Sequence, residues 1–191
     1  MNLLEAIHTR RSIAQLRPDE VPREVIEQLL EAAVRAPNHK RAEPWRFAVF
    51  SGVSREKLAN AFRDNYRLDH PDATPEDLAG PGEKSAKRVL NAPVTIVVSS
   101  EAGKSEVETI ENFAAAAVAT EHILLVAHAL GLGAYWRTGE AAYTKPRNAI
   151  LELIGASSET QIVAFLLIGY PVEAALPGPR AAALEKTIWF D

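Results

Sequence analysis

The chain has 191 residues, 47% hydrophobic and 24% charged, enough to bury one sizeable core and too few for several independent domains. Twenty-one basic residues against 25 acidic give a formal charge of -4, so no overall cationic field draws it to nucleic acid or to an anionic membrane. The absence of cysteine removes disulfides, thiolate metal sites and cysteine nucleophiles together.

The first residues, Met-Asn-Leu-Leu-Glu, lack the charged-then-apolar pattern of an export signal, and a cytoplasmic protein is the expectation. Asn2 and Glu5 have capping-box spacing, and Leu3, Leu4 and Ile7 mark one apolar face of a short helix ending near Thr9. Arg10, Arg11 and Ser12 follow where the chain leaves that helix. Two guanidinium forks and a hydroxyl are able to hold a phosphate through charge-assisted, partly bidentate bonds. A solvated surface pair of arginines fits the same residues. Pro22 opens a second helix, with Ile26, Leu29, Leu30, Ala33 and Val34 as its core-facing stripe.

The stretch from Arg35 to Phe47 turns helix into strand. Pro37 stops the helix, and Pro44 biases Glu43 toward extended backbone before the strand Trp45–Phe50. Arg35, His39, Lys40 and Arg41 project from this connector, groups suited to an anionic or heteroaromatic ligand and equally compatible with a solvated loop. Ser54 caps a third helix with Leu58, Ala61 and Phe62 facing inward. From Arg67 to Gly82, Pro71, Pro75, Gly80 and Pro81 break every period. A long mobile excursion is expected there, either a lid or an insertion without a role.

A short helix over Ser85–Leu90 leads into Val94–Ser99, a β-branched run suited to a strand buried on both faces. The apolar segment from about Val107 to Leu130 contains Glu121, His122 and His128, and reads as a buried central helix rather than a membrane span. The two histidines fall on different faces, so satisfied core or interface side chains are expected instead of a shared metal site. Gly131 and Gly133 end this helix, and Ala134–Trp136 is a short strand. Arg137, Thr138 and Gly139 emerge from its end, where layered folds commonly meet ligands.

Lys145-Pro146 starts a further helix with Ala149, Ile150, Leu153 and Ile154 on its stripe, and Gln161–Ile168 is a second wholly apolar strand. The end Ile188-Trp189-Phe190 requires cover from a partner subunit or from the chain's own core. Many helices and few strands point to an α+β fold, one domain over residues 1–191.

No G-x-G-x-x-G after a strand, no P-loop, no H-E-x-x-H and no G-x-S-x-G occurs. What remains, localised cations and amide donors without a metal set, suits an enzyme whose cofactor performs the chemistry. Four segments in order carry a resemblance: Arg10-Arg11-Ser12; Arg35-Ala-Pro-Asn-His39 with Glu43-Pro-Trp-Arg-Phe47; Gly131-Leu-Gly-Ala-Tyr-Trp-Arg-Thr-Gly139; and Ile168-Gly-Tyr-Pro171. Over nearly the whole chain they resemble the FMN-dependent nitroreductase family, particularly its small bacterial NAD(P)H enzymes.

The resemblance implies a mixed sheet flanked by helices, and a homodimer holding FMN in clefts between its subunits. Arg10, Arg11 and Ser12 are then expected at the FMN phosphate and ribityl end, with Arg35 and His39 closing the site from the other subunit. Trp136, Arg137, Thr138 and Gly139 are expected along the isoalloxazine, donating backbone hydrogen bonds toward its N5 and O4 edge. Two departures stand out. Arg41 and Glu43 replace the Asn and Gln of many members, and Arg180 is the sole counterpart of C-terminal basic residues that reach the phosphate in larger relatives. The implied activity is ping-pong: NADH or NADPH reduces the flavin, and a small-molecule acceptor, nitroaromatic, quinone or related, takes the electrons without a protein acid or base. A non-catalytic flavin-binding protein for storage or sensing, and a relative with other flavin redox chemistry, fit the same motifs.

Overall fold

The computed structural model describes residues 1–143, 148–174 and 178–190, apart from the side chains of Pro75, Leu78 and Glu140. In chain order the helices are α1 (Leu3–Thr9), α2 (Arg23–Ala33), α3 (Arg55–Asp69), α4 (Pro75–Leu78), α5 (Pro81–Asn91), α6 (Glu106–Ala129) and α7 (Ala149–Leu153). The strands are β1 (Trp45–Ser51), β2 (Val94–Ser100), β3 (Gly133–Arg137) and β4 (Gln161–Gly169), in the sheet order β1-β2-β4-β3. All three ladders are antiparallel, and the sheet's mixed character comes from one parallel bridge, Ser12 to Ala134, on the outer edge of β3.

The central strands β2 and β4 are buried along nearly their whole length, as their β-branched and apolar runs favour, with Thr95, Ser99 and Ser100 buried among them. Alternation then sorts their side chains into two layers. Val94, Ile96, Val98, Leu166 and Ile168 join Leu29 of α2 and Ile123 of α6 in one cluster. Val97 and Phe165 join Leu58 and Phe62 of α3, Val89 of α5 and Ile150 of α7 on the opposite face. The rings of Phe62 and Phe165 meet there at 4.8 Å and 59°, a tilted contact.

The central helix α6 is long and apolar enough, by length and composition, to cross a membrane, yet it packs on the sheet and on α2. Its buried side is mostly alanine: Ala115, Ala116, Ala119 and Ala127, with Ile123 and Leu124. Small side chains bring the helix axis close to its neighbours. Val107, Ile110, Phe113 and Val118 remain exposed on its other side.

Several expectations are corrected. The stretch from Arg67 to Gly82 is largely helical rather than a loop, because it is fastened to its surroundings. Arg63 of α3 holds Glu83 of α5 at 2.8 Å, the Asp77 carboxylate accepts from the Thr74 hydroxyl at 2.6 Å, and Pro81 sits at the start of α5. Gly82 allows α3 and α5 to touch, since a Cβ there would lie 2.8 Å from Tyr66 Cβ. Helix α5 therefore begins four residues before Ser85. Helix α2 ends at Ala33, before Pro37, and Val34 is exposed rather than in the stripe. Ser54 stands at the start of α3 without capping it; its hydroxyl instead donates to the Ser51 carbonyl at 2.7 Å. On α7 it is Leu151, not Leu153, that is buried with Ile150, while the expected start at Lys145-Pro146 lies outside the described residues. Glu43 is left-handed rather than extended, with φ 44. Its N–H donates to Asn38 Oδ1 at 3.0 Å and its carbonyl accepts from Arg46 Nη1 at 3.1 Å, which outweighs the bias imposed by Pro44.

Candidate functional site

Helix α1 delivers Arg10 and Arg11 to the side of α6. The Asn2–Glu5 capping box starts α1, and the chain turns out of it at Arg10. Arg10 Nε lies 3.4 Å from Glu121 on α6. Arg11 Nη1 donates to the carbonyls of His8 at 2.9 Å and Arg10 at 2.7 Å, while its Nε is buried with no hydrogen-bond partner among the described residues. A buried guanidinium donor left open is costly unless something else fills it. Arg180 stands near this group: a Cβ at Gly178 would lie 3.9 Å from Arg11 Nε and 4.0 Å from Arg180 Nη1, so the tail brings the two cations into one neighbourhood. The sequence offered only a loose correspondence for Arg180, because its position depends on how the tail folds back.

His128, two turns after Glu121, stands behind these arginines. Thr9 commits its hydroxyl proton to the Glu5 carbonyl at 2.6 Å, so His128 Nε2, 2.8 Å from Thr9 Oγ1, is the donor to it. Burial first, then the charges of Arg10 and Arg11, lower the His128 pKa below its ordinary value, with Glu5 opposing. His122 is satisfied differently, with Nδ1 3.0 Å from the Ala32 carbonyl.

From Ser12 the chain follows the outer edge of β3. The Ile13 N–H donates to the Ala134 carbonyl at 2.9 Å, and the chain passes so close to Gly133 that a Cβ there would stand 2.8 Å from a Leu16 methyl. Beyond it Ala14, Arg88, Tyr135 and Arg137 line a cavity of about 190 Å³. Arg88 and Arg137 also line a second cavity, of about 260 Å³, with Thr138, Gly139, Asn65, Tyr66, Lys84 and Ser85. Strand alternation explains the split at the end of β3. Trp136 packs its side chain against the core cluster shared with α6, and Arg137 points to the α5 side. Burial, and then the neighbouring Arg88 guanidinium, lower the Arg137 pKa from its ordinary value. Three cations, Lys84, Arg88 and Arg137, thus border one concavity, together with Asp69.

The loop after Gly139 is held from below by two buried asparagines. Asn65 Nδ2 donates to Asn148 Oδ1 at 3.0 Å, the Ala149 N–H donates to Asn65 Oδ1 at 2.6 Å, and Asn148 Nδ2 donates to the Ala141 carbonyl at 2.9 Å. Neither these asparagines nor Lys84, Ser85 and Arg88 stood out in the sequence. The only available signal was the polar character of Asn65 and Asn148 within otherwise apolar stripes.

Arg35 and His39 are not brought to this site within one chain. Arg35 is exposed and lies 3.7 Å from Glu31, and His39 borders a hollow with Lys40, Lys104, Glu108, Glu111 and Asn112, near the start of α6. Arg10 meets α6 at Glu121, about 14 Å or more farther along the helix at 1.5 Å per residue. The nine residues singled out from the sequence therefore form two groups on one subunit. Arg10, Arg11 and Ser12 lie with Trp136, Arg137, Thr138 and Gly139 around β3, whereas Arg35 and His39 stand apart.

The chain as a whole has relatives among known proteins. The family model described as "Nitroreductase family" matches residues 7–170. The chain belongs to the nitroreductase family. YfhC of Bacillus subtilis (strain 168), a provisionally named NAD(P)H nitroreductase, is 32% identical over 174 residues, covering 90% of this chain and 86% of that protein. Among solved structures, the nitroreductase-like family protein from Bacillus cereus superposes with a TM-score of 0.87 at 29% identity, covering 100% of this chain and 97% of the other. The FMN-dependent nitroreductase NfnB from Mycobacterium smegmatis, solved in complex with NADPH, shares the fold with a TM-score of 0.73 at 19% identity, covering 98% and 97%. The nitroreductase fold thus accounts for the whole layered arrangement of α6, the sheet and α5.

Proposed function

We propose that this member of the nitroreductase family is an FMN-dependent NAD(P)H oxidoreductase, working as a homodimer in which residues 1–191 form one FMN-binding domain per subunit. The observation that carries the reading is the strip around β3. It begins at the Arg11 guanidinium, whose buried Nε lacks a hydrogen-bond partner among the described residues, near Arg180, and ends at the cavity bordered by Arg88, Arg137, Thr138 and Gly139. FMN has a phosphate at one end and a flat heteroaromatic ring at the other, and the residues present fit it in that order. YfhC and NfnB carry the reductant and the cofactor in their names.

Arg10, Arg11 and Ser12, with Arg180, hold the phosphate through charge-assisted bonds. Trp136, Arg137, Thr138 and Gly139 lie along the ring and supply backbone donors. Arg35 and His39 reach it from the partner subunit. Bound there, FMN supplies electron transfer from NADH or NADPH to a nitroaromatic, quinone or related acceptor, in two alternating half-reactions. The chain contributes fixed charge: Arg88 and Arg137 already repel one another, so negative charge developing between them relieves that repulsion as well as gaining attraction.

Two features support the dimer. The exposed apolar residues of α1 (Leu3, Leu4, Ile7), of α6 (Val107, Ile110, Phe113) and of the tail, where Trp189 is 72% and Phe190 93% exposed, are more than a soluble monomer ordinarily leaves open. The end Ile188–Phe190 stays largely exposed on its own chain, which leaves a second copy to cover it. The distance along α6 between Arg10 and His39 likewise leaves the site incomplete on one chain.

The test is a visible spectrum of the purified protein, anaerobic bleaching of the bound flavin by NADH or NADPH, and light scattering. A flavin spectrum, rapid bleaching and a dimeric mass are expected. A colourless protein that ignores added FMN overturns the reading, and a bound flavin that neither nucleotide bleaches favours the storage or sensing alternative.

A further inference from the structure

We propose that Lys40 and Arg41 bind the reductant, taking the phosphate groups of a nicotinamide dinucleotide as it docks on the partner subunit's flavin. The inference rests on the dimer and cofactor proposed above and goes beyond them by naming what reads the reductant.

Three residues of the loop before β1 have left-handed backbone: Lys40 (φ 49), Arg41 (φ 56) and Glu43 (φ 44). At such angles the Cβ crowds the following carbonyl, and glycine relieves the crowding at no steric cost. Here the positions carry long charged side chains, and all three are exposed, so burial does not account for them. Strain kept on an exposed loop points to side chains used for something outside the fold.

The loop is also fastened. Asn38 Oδ1 accepts the Glu43 N–H, the Ala42 N–H donates to the His39 carbonyl at 2.9 Å, and Arg46 Nη1 donates to the Glu43 carbonyl. Lys40 and Arg41 are displayed from a pinned frame rather than from a loose tether.

Charge bookkeeping separates these two cations from their neighbours. Arg35 is paired with Glu31 at 3.7 Å and Arg46 with Glu101 at 2.8 Å, while Lys40 and Arg41 have no ion-pair partner among the described residues. Glu108 and Glu111 line the hollow beside Lys40, together with Lys104 and His39; the Glu108 carboxylate accepts the Lys104 N–H at 2.8 Å. The FMN phosphate has its own cations around Arg11, so these two are free for a different phosphate. The chain's charge of -4 and the small patch argue against a nucleic acid. The loop borders the exposed apolar side of α6, and a partner subunit seated there brings it to the rim of the partner's site.

The test uses the flavin-loaded dimer and the double variant Lys40→Gly/Arg41→Gly, which removes both charges while relieving the backbone strain, so that its melting temperature should not fall. Calorimetric titration with NADP+ and NAD+ reads binding directly. The variant should bind NADP+ about tenfold more weakly, as expected for two solvent-facing charge contacts. Loss for NADP+ alone assigns the contact to the 2′-phosphate, and equal loss for both nucleotides assigns it to the pyrophosphate; either supports the proposal. Flavin reduction by phosphate-free N-benzyl-1,4-dihydronicotinamide should be unchanged. A wild type that holds no flavin removes this reading together with the one beneath it. A flavin-loaded wild type whose nucleotide affinities survive in the variant removes this one alone.

Discussion

Replacing Arg10 and Arg11 by alanine tests the placement of the phosphate. Arg11 Nε is buried and has no partner among the described residues, and a charge-assisted contact to the Arg11 guanidinium is worth about 2 to 3 kcal/mol. Arg10 must turn from Glu121, a half-exposed neighbour at 3.4 Å, so its net contribution is nearer to about 1.5 kcal/mol. The sum, about 3.5 to 4.5 kcal/mol, corresponds to a loss of about 400- to 2,000-fold in FMN affinity. Arg11 also braces the end of α1 through the His8 and Arg10 carbonyls, which makes fluorescence titration of both FMN and riboflavin necessary. Riboflavin lacks the phosphate and should bind the wild type and the double variant equally. If riboflavin loses as much as FMN, the arginines shape the fold rather than grip a phosphate. If neither ligand loses affinity, the phosphate lies elsewhere.

Two further outcomes follow from the geometry. Asn148→Ala removes the cap of α7 and strands the Ala141 carbonyl and Asn65 without their partner, so urea unfolding should report a loss of about 2 to 4 kcal/mol. A change below about 0.5 kcal/mol, the range of ordinary surface substitutions, would mean that the network is replaceable by water. For His128, whose folded pKa lies below the ordinary 6.5, the unfolded chain takes up the proton first as pH falls. The stability from keeping it neutral is complete above 6.5 and drains away as pH falls through that value and then through the folded one. Melting of the flavin-free protein between about pH 7.5 and 5.5 should therefore drop more steeply for the wild type than for His128→Gln, and parallel curves would refute the assignment.

Features that one segment decides alone could be read before any packing was known. Val94 to Val98 is β-branched at every step and Ile162 to Ile168 apolar at every step, and such runs have one stable place, a strand covered on both faces. The order Arg10-Arg11-Ser12, Asn38-His39 and Trp136-Arg137-Thr138-Gly139 carried the family because each motif is local. Leu58, Ala61 and Phe62 were legible for the same reason, since a single helical period placed them.

Only the tertiary structure decided the rest. The residues from Arg67 to Gly82 read as a loop because Pro and Gly break every local period, and they fold because Arg63, Thr74 and the close contact of Gly82 with Tyr66 fasten them from a distance. Leu3, Leu4 and Ile7 form the face that periodicity foresaw, yet each stays half or more exposed, since whether an apolar stripe is covered depends on what packs against it. Arg88 and Arg137 are 49 positions apart in sequence and border one cavity because α5 and the end of β3 lie on the same side of the sheet. No local pattern announces such a pair: a spacing rule reaches one or two helical turns, and the charges of a binding site meet only after the strands have paired.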